Sequence, residues 1–498
     1  MSDTHSGQSS GPDEIPAWQP PRIKQPRPVS ADDSSMQVEE IRAKIYPRSV
    51  TGIFARWRII LVLATQLVFY GLPWLQWNGR QAVLFDLTER KFYIFGIVLW
   101  PQDVFYLAII LIISAYGLFL FTALAGRLFC GYACPQTVYT EIFMWIERKI
   151  EGDRVQRIRL DESPMSLRKF RIKASKHILW IMVAWWTGST FIGYFSPIRE
   201  LGSQLIHLQL SFWQWFWMIF YSIATWGNAG FLRESVCKYM CPYARFQSVM
   251  VDKDTFVVTY DKIRGEPRGR RSKKVVPSEV GLGDCVDCTI CVQVCPTGID
   301  IRDGLQYMCI GCGACIDACD QVMEKMDYPK GLIRYTSESG MLDGLTNKQA
   351  RKRLFKPRVF VYITLLTIFI IGLIVSLSLR TPLRVDIVRD RGLLGREIPG
   401  GMIENVYRIQ LINMSEKDQK FVLTATSDLP QVTVLAGEEN EQQIAVPAFS
   451  NQWVPMVVRV PMEGADKGLH PLTLHIENTD KSAGELSVDQ ETTFFVPN

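Results

Sequence analysis

Cys285-Val-Asp-Cys288-Thr-Ile-Cys291-Val-Gln-Val-Cys295-Pro296, followed by Cys309-Ile-Gly-Cys312-Gly-Ala-Cys315-Ile-Asp-Ala-Cys319, decides the reading of this chain. An iron–sulfur cubane needs four thiolates around a compact centre. Three come from one tight loop with two-residue gaps, and the fourth comes from elsewhere. In a two-cluster arrangement the fourth cysteine of each run serves the other centre. The spacing therefore assigns Cys285, Cys288, Cys291 and Cys319 to one [4Fe–4S] cluster, and Cys309, Cys312, Cys315 and Cys295 to a second. Gly311 and Gly313 let the backbone approach the inorganic sulfides and donate N–H bonds to them. Zinc sites usually pair two C-x2-C units over a longer spacer, and the eight-cysteine run with its two C-x2-C-x2-C-x3-C repeats favours clusters over that reading. Asp320 stands where a proline often follows the fourth cysteine; that alters a turn and removes no ligand.

Four further cysteines form a repeated pattern. Arg127-Leu-Phe-Cys130-Gly-Tyr-Ala-Cys134-Pro135 and Arg233-Glu-Ser-Val-Cys237-Lys-Tyr-Met-Cys241-Pro242 each end a pair of apolar segments. A spacing of four is expected to place both thiols on one helical face, and the proline interrupts the helix. Cys130, Cys134, Cys237 and Cys241 are candidate catalytic residues and metal ligands. Soft thiolates suit copper or a third iron–sulfur cluster. A redox dithiol, or four small apolar residues packed at helix ends, are the remaining readings.

Working outward, five segments are apolar and long enough for a bilayer, which asks for roughly 20 residues: about 57–76, 103–125, 177–195, 210–230 and 358–379. The stretch 82–100 is broken by Asp86, Glu89, Arg90 and Lys91 and is expected to be interfacial or re-entrant. The connection 127–176 holds eleven Lys/Arg, whereas 197–209 holds only Arg199. Lys and Arg are retained inside, so 127–176 and 231–357 are expected to face the cytoplasm and 380–498 the periplasm. All twelve cysteines then share the reducing side, where disulfides are rare. No apolar leader follows Met1, so later segments are expected to drive insertion.

Beyond residue 385 cysteine is absent and the pattern changes. Tyr407-Ile409-Leu411, Phe421-Leu423-Ala425 and Leu472-Leu474-Ile476 alternate with polar residues. Period two between turn residues reads as a β-sandwich. Residues 1 to about 40 are rich in proline, serine and charge and read as a disordered tail. The whole chain has 498 residues, 48% hydrophobic, with a net charge of +5. That balance excludes disorder, collagen and coiled coil as whole-chain classes. Five histidines leave little for haem: His177 and His207 sit near the ends of spans three and four, on opposite membrane faces by this topology, and His470 and His475 read as strand surface residues. The basic run 262–274, with Lys262, Arg264, Arg268, Arg270, Arg271, Lys273 and Lys274, reads as a juxtamembrane linker attracted to anionic lipid, or as a docking patch for an acidic donor. No P-loop and no strand-following G-x-G-x-x-G is present, so no nucleotide or flavin site is expected.

Together with Arg264-Gly-Glu-Pro-Arg-Gly269 and Gly331-Leu-Ile-Arg-Tyr335, these features resemble the cytochrome c oxidase accessory proteins of the FixG/CcoG type, from about Tyr46 to the end. The resemblance implies a multi-pass protein of the bacterial inner membrane. It would be an α-helical bundle of five transmembrane helices with a ferredoxin-like dicluster domain and a C-terminal immunoglobulin-like β-sandwich. The expected divisions are a tail at 1–45, a four-helix membrane domain at 46–256, the dicluster domain at 257–335, a linker at 336–357, the fifth span at 358–379 and the periplasmic domain at 380–498. The resemblance further implies reduction of Cu(II) to Cu(I) in support of a cbb3-type oxidase. Expected partners are membrane lipid, a cytoplasmic electron donor or quinol, copper ion and haem–copper oxidase assembly factors, with no nucleic acid. A quinol dehydrogenase feeding another redox enzyme and a non-enzymatic assembly scaffold are the rival readings.

Overall fold

The computed structural model describes residues 44–275, 281–343, 349, 352–389, 395–415, 417–436, 443–479 and 486–497. The tail expected at 1–45 lies outside these, except for its last two residues.

Along the chain, eight helices carry the architecture: α1 (Ile53–Gly71), α2 (Val104–Ala125), α3 (Pro135–Glu151), α4 (Leu167–Ile192), α5 (Phe212–Gly227), α6 (Pro242–Met250), α7 (Ala314–Met326) and α8 (Pro357–Ser378). The helices containing α1, α2 and α8 are long and apolar enough to cross a membrane. Their large side chains point outward, Leu67 being 76% exposed, as lipid-facing residues do. The expected spans at 177–195 and 210–230 fall in α4 and α5. The first turns of α4 are polar, and α5 has 16 residues before the helix continues as the π-helical turn Asn228–Leu232. So three of the five expected crossings meet the length and composition a bilayer demands. Ser166 caps α4 by accepting from the Lys169 N–H, and Ser211 caps α5 through Gln214. The two helices pack closely because a Cβ on Gly188 would meet the Met218 carbonyl at 2.6 Å.

The basic connection 127–176 is partly consumed inside the protein. Glu147 is buried and pairs with Arg157 and Arg233, both at 3.0 Å. Glu151 pairs with Lys173 at 2.8 Å and Lys176 at 2.9 Å. Buried carboxylates require such partners.

The stretch expected to be interfacial or re-entrant folds as an antiparallel meander of β1 (Val83–Asp86), β2 (Lys91–Ile94) and β3 (Ile97–Leu99). The charges that broke its hydropathy sit at the β1–β2 turn, where Asp86 accepts from the Thr88 and Glu89 N–H groups. Val98 and Trp100 pack on Ile412 of the C-terminal domain.

β4 (Val257–Tyr260) and β5 (Ile333–Thr336) pair antiparallel and close the ends of the cysteine-rich segment. The C-terminal domain has two sheets. One orders β10 (Thr433–Ala436), β12 (Asn451–Pro461), β8 (Met402–Asn413) and β6 (Leu383–Arg389), with β7 (Arg396–Ile398) beside β8. The other orders β11 (Ile444–Val446), β9 (Gln419–Ser427), β13 (Gly468–Asn478) and β14 (Ser487–Val496). Tyr407, Ile409, Leu411, Phe421, Leu472, Leu474 and Ile476 are all in its buried core. That is the period-two face turned inward.

Candidate functional site

The two cysteine runs build two cavities of similar size. One, with ≈ 370 Å³ of empty space, is lined by Cys285, Cys288, Cys291 and Cys319, with Tyr260 and Arg302. The other, with ≈ 350 Å³, is lined by Cys295, Cys309, Cys312 and Cys315, with Cys291 also on its wall. Each cavity gathers the four thiols that the spacing groups together.

The loops share a backbone. Asp287 (φ 48°) and Thr289 (φ 58°) in the first correspond to Gly311 (φ 67°) and Gly313 (φ 72°) in the second. Left-handed residues at these points form a nest that turns N–H groups toward an anionic centre. The fourth thiol of each cavity comes from beyond the partner loop: Cys319 projects from α7 and Cys295 follows the short helix Ile290–Gln293.

Burial pushes the Cys291 and Cys309 thiols up to about 12. Burial also raises Cys312, and raises Cys315 further, above the ordinary thiol range. Bare thiolates are therefore disfavoured here, and the positive charge of iron supplies what ionises them. Two apolar, thiol-lined cavities, each with a pair of left-handed residues in its loop, fit two [4Fe–4S] clusters.

The first loop lies nearer solvent: Cys288 is exposed, whereas Cys312 is buried. The second loop is pressed on the membrane helices. A Cβ on Gly131 would meet the Ile310 carbonyl at 2.8 Å. Tyr132 donates its hydroxyl to the Cys312 carbonyl at 3.0 Å. The Asp317 carboxylate accepts from the Phe54 and Ala55 N–H groups at 3.3 and 2.8 Å, so α7 caps the start of α1. Tyr335 donates to the Ala125 carbonyl at 2.6 Å, at the end of α2.

Each Cys-x3-Cys-Pro motif breaks its helix internally, so the two thiols do not share one continuous helical face. The Cys134 N–H donates to the Phe129 carbonyl and the Cys241 N–H to the Val236 carbonyl, at 3.0 and 2.8 Å. Both closures reach back five residues, a wide turn that reorients the chain before proline starts α3 and α6. Cys134 and Cys241 become the capping residues of those helices. The four half-buried thiols lie within electrostatic reach of one another. Burial and then Cys134 push Cys130 up to about 12, opposed by Arg127, with Cys237 and Cys241 adding to the rise. Cys237 is raised to about 11 by burial, then by Cys134 and Cys241. Arg127 is in electrostatic reach of Cys130 and Cys309, and more weakly of Cys237 and Cys241. Cys130 donates to the Gln247 side-chain oxygen at 3.3 Å.

Among the described residues, no three His, Cys, Asp or Glu side chains are gathered as a ready-made cage for a single metal ion. The motif thiols approach without closing such a cage. A cubane spreads its thiolates wider than a single ion does.

The basic run 262–274 is used largely within the domain. Arg264 pairs with Asp284 at 2.5 Å, and Arg271 donates to the Gly283 and Cys285 carbonyls at 2.7 and 3.3 Å. It straps the first loop rather than serving only as a free linker. Arg127 and Tyr132 escaped the sequence reading as site residues; their position inside the repeated motif was the available signal. On the sandwich, His475 contacts Asp489 at 2.7 Å and Thr426 at 2.8 Å, and His470 contacts Asp428 at 3.3 Å.

Residues 232–338 match the family model of the 4Fe-4S dicluster domain, residues 107–152 that of a 4Fe-4S binding domain, and residues 373–497 the IG-like fold at the C-terminal of FixG. The chain is 38% identical to Nitrogen fixation protein FixG of Rhizobium meliloti (strain 1021), covering 80% of this chain and 82% of that one. It is 39% identical to Protein RdxA of Cereibacter sphaeroides, covering 87% and 92%. The crystal structure of a FixG-related protein from Vibrio parahaemolyticus aligns over 23% of this chain and 97% of its own, with 23% identity and a TM-score of 0.19.

Proposed function

The chain belongs to the FixG family, and from that premise we propose that it reduces Cu(II) to Cu(I) in support of cbb3-type cytochrome c oxidase assembly. At the coarser level it is a FixG-like iron–sulfur electron-transfer protein with the apolar helices of a membrane protein. The observation that carries the finer reading is that Cys130, Cys134, Cys237 and Cys241 lie within electrostatic reach of one another, with Arg127 in reach of Cys130, Cys237 and Cys241 and also of Cys309. A thiol site thus abuts the second cysteine loop.

Cys285, Cys288, Cys291 and Cys319 would hold one cluster, and Cys295, Cys309, Cys312 and Cys315 the other. Bound clusters supply one-electron transfer, which matches the single electron that Cu(II) needs. The protein's own part is ligation, burial and close docking. The Gly131–Ile310 approach holds the thiol motif against the loop. Soft thiolates favour Cu(I) over Cu(II), so copper is here a substrate that draws the thiols together, not a resident ion. On this reading the dicluster segment faces the cytoplasm of a bacterial inner-membrane protein and the sandwich faces the periplasm, where oxidase assembly factors are met.

The test is anaerobic reduction of the purified protein followed by Cu(II) and a Cu(I) indicator dye. Cu(I) should form only with clusters present. The Cys130→Ser/Cys134→Ser variant should lose turnover while keeping its dicluster iron. No Cu(I) from cluster-replete protein overturns the copper reading. A second reading, a third cluster at the motif thiols, is favoured by the 4Fe-4S binding domain match at 107–152, which contains Cys130 and Cys134. Iron analysis separates the two, at about eight against about twelve atoms per chain.

A further inference from the structure

A cavity outside both cluster sites opens at the membrane boundary, between the first turns of α1, the middle of α3 and the wall of the second cysteine loop. It offers ≈ 650 Å³ of empty space, part of it open to solvent. Arg48, Arg58 and Arg148 line it. A single carboxylate on the wall, Glu141, answers both Arg58 and Arg148 at 2.9 Å. Arg157, also on the wall, is already paired with Glu147 at 3.0 Å. Three guanidinium groups therefore face one carboxylate, an excess of positive charge. Arg58 is only 11% exposed, and its Nε–H is buried without an acceptor. A buried donor left unmet is costly, and guanidinium is the group best shaped to hold phosphate oxygens. The rest of the wall is apolar, including Ile59 and Val294, and Cys312 completes it.

We propose that this cavity holds the phosphate of an anionic phospholipid, with the guanidinium groups on the headgroup and the apolar wall along the start of the acyl chains. The depth fits, because Ala55, Arg58 and Ile59 belong to the first turns of α1, where a membrane helix leaves the headgroup layer. Basic pockets between helices at a membrane face suit such headgroups. Because Cys312 shares the wall, an anion held there opposes the addition of an electron to the neighbouring centre. Lipid occupancy then tunes the second cluster and leaves the first, on the far loop, unaffected. The binding claim stands on the cavity alone; the tuning claim rests on the cluster reading above.

The test uses the full chain in nanodiscs of phosphatidylglycerol or of phosphatidylcholine. Native mass spectrometry after detergent release reads retained lipid, and paramagnetic resonance during redox titration reads each cluster. Phosphatidylglycerol should be retained at least tenfold over phosphatidylcholine. Arg48→Gln, at an exposed position, and Arg58→Lys should each weaken that preference, so the result does not hang on one variant folding. One cluster alone should become about tenfold harder to reduce in phosphatidylglycerol, about 59 mV for a one-electron couple. Equal retention of both lipids, or an undiminished preference in both variants, overturns the site. Inorganic phosphate competing fully at millimolar concentration overturns the lipid assignment in favour of a free anion. Retained lipid with identical potentials in both discs overturns the tuning. A protein without clusters still reports the binding, so failure of the cluster reading is seen separately.

Discussion

Loop 285–291 and loop 309–315 carry the same thiol spacing and the same two left-handed positions, yet they spend those positions differently. The first uses Asp287, a residue enriched at positive φ, and Thr289, whose β-branched side chain is strained there, and it lies toward solvent. The second uses Gly311 and Gly313, because a Cβ there would meet the Arg127 backbone at 3.3 Å and the Phe54 ring at 2.6 Å. Glycine in the second loop thus answers two demands, backbone conformation and close docking; the first loop answers only one. The lesson concerns direction. A dicluster unit with one solvent-facing loop and one loop pressed on membrane helices has distinguishable ends.

The largest expected effect breaks that asymmetry. Gly313→Thr copies the first loop's residue into the second and drives a side chain into Phe54. It should cost about four of about eight iron atoms and release α7 from the start of α1, read by iron analysis and by hydrogen exchange at residues 53–58. The reciprocal Thr289→Gly should keep its iron and shift stability by only a few tenths of a kcal/mol, about the cost of an added glycine. Equal damage from both changes would refute the docking explanation.

Next in size is the division of thiols. Cys319→Ser and Cys288→Ser should remove the same paramagnetic signal, and Cys295→Ser should remove the one lost in Cys312→Ser. A crossed pattern, with Cys295 grouped with Cys288, would break the assignment of the cavities.

Gly131→Val is gentler, since it alters packing and no ligand. Its Cβ meets the Ile310 carbonyl from the other side of the interface. Overpacking of this kind costs about 1–3 kcal/mol. Thermal melts followed by cluster absorbance should show the second centre lost earlier and the first unchanged.

The smallest effect is a pH dependence confined to the first loop. Arg302 holds Asp287 and Asp300, each at 2.6 Å. Hydrogen bonds from Arg302 keep Asp300 below the ordinary carboxylate range, although burial opposes this. A lowered folded-state pKa means the stabilisation is complete above the ordinary aspartate range and is lost as pH falls through the folded value. Acid should therefore loosen loop 285–291 relative to loop 309–315, measured by hydrogen exchange across an acid series. Asp300→Asn should flatten the difference by removing the titrating group.

Much of this was legible in the residues. Thiol spacing is a local property, so the two foursomes could be read directly, and the cavities collect the same groups. Period-two alternation at Tyr407, Ile409 and Leu411 is equally local, and those side chains are buried in the sandwich. Hydropathy alone did not give packing. At 82–100 the charges mark the turn of a meander whose apolar side chains sit against Ile412, a strand arrangement no hydropathy profile shows. At 262–274 the basic run read as a juxtamembrane linker or a docking patch, and the spacing of its charges gave no sign that Arg264 and Arg271 are held by Asp284 and by backbone carbonyls of the cluster domain.

What the sequence by itself determined was composition at short range: which cysteines can share a cubane, which stretches are apolar enough for lipid, and which faces alternate. Only the tertiary structure decided that the repeated Cys-x3-Cys-Pro thiols come within electrostatic reach of one another, that Gly131 seats the first motif on the Ile310 backbone, and that Asp317 caps a helix that begins more than 260 residues earlier. The reason is physical. Periodicity and spacing record what neighbours along the chain demand, whereas these contacts join segments whose separation leaves no period to read.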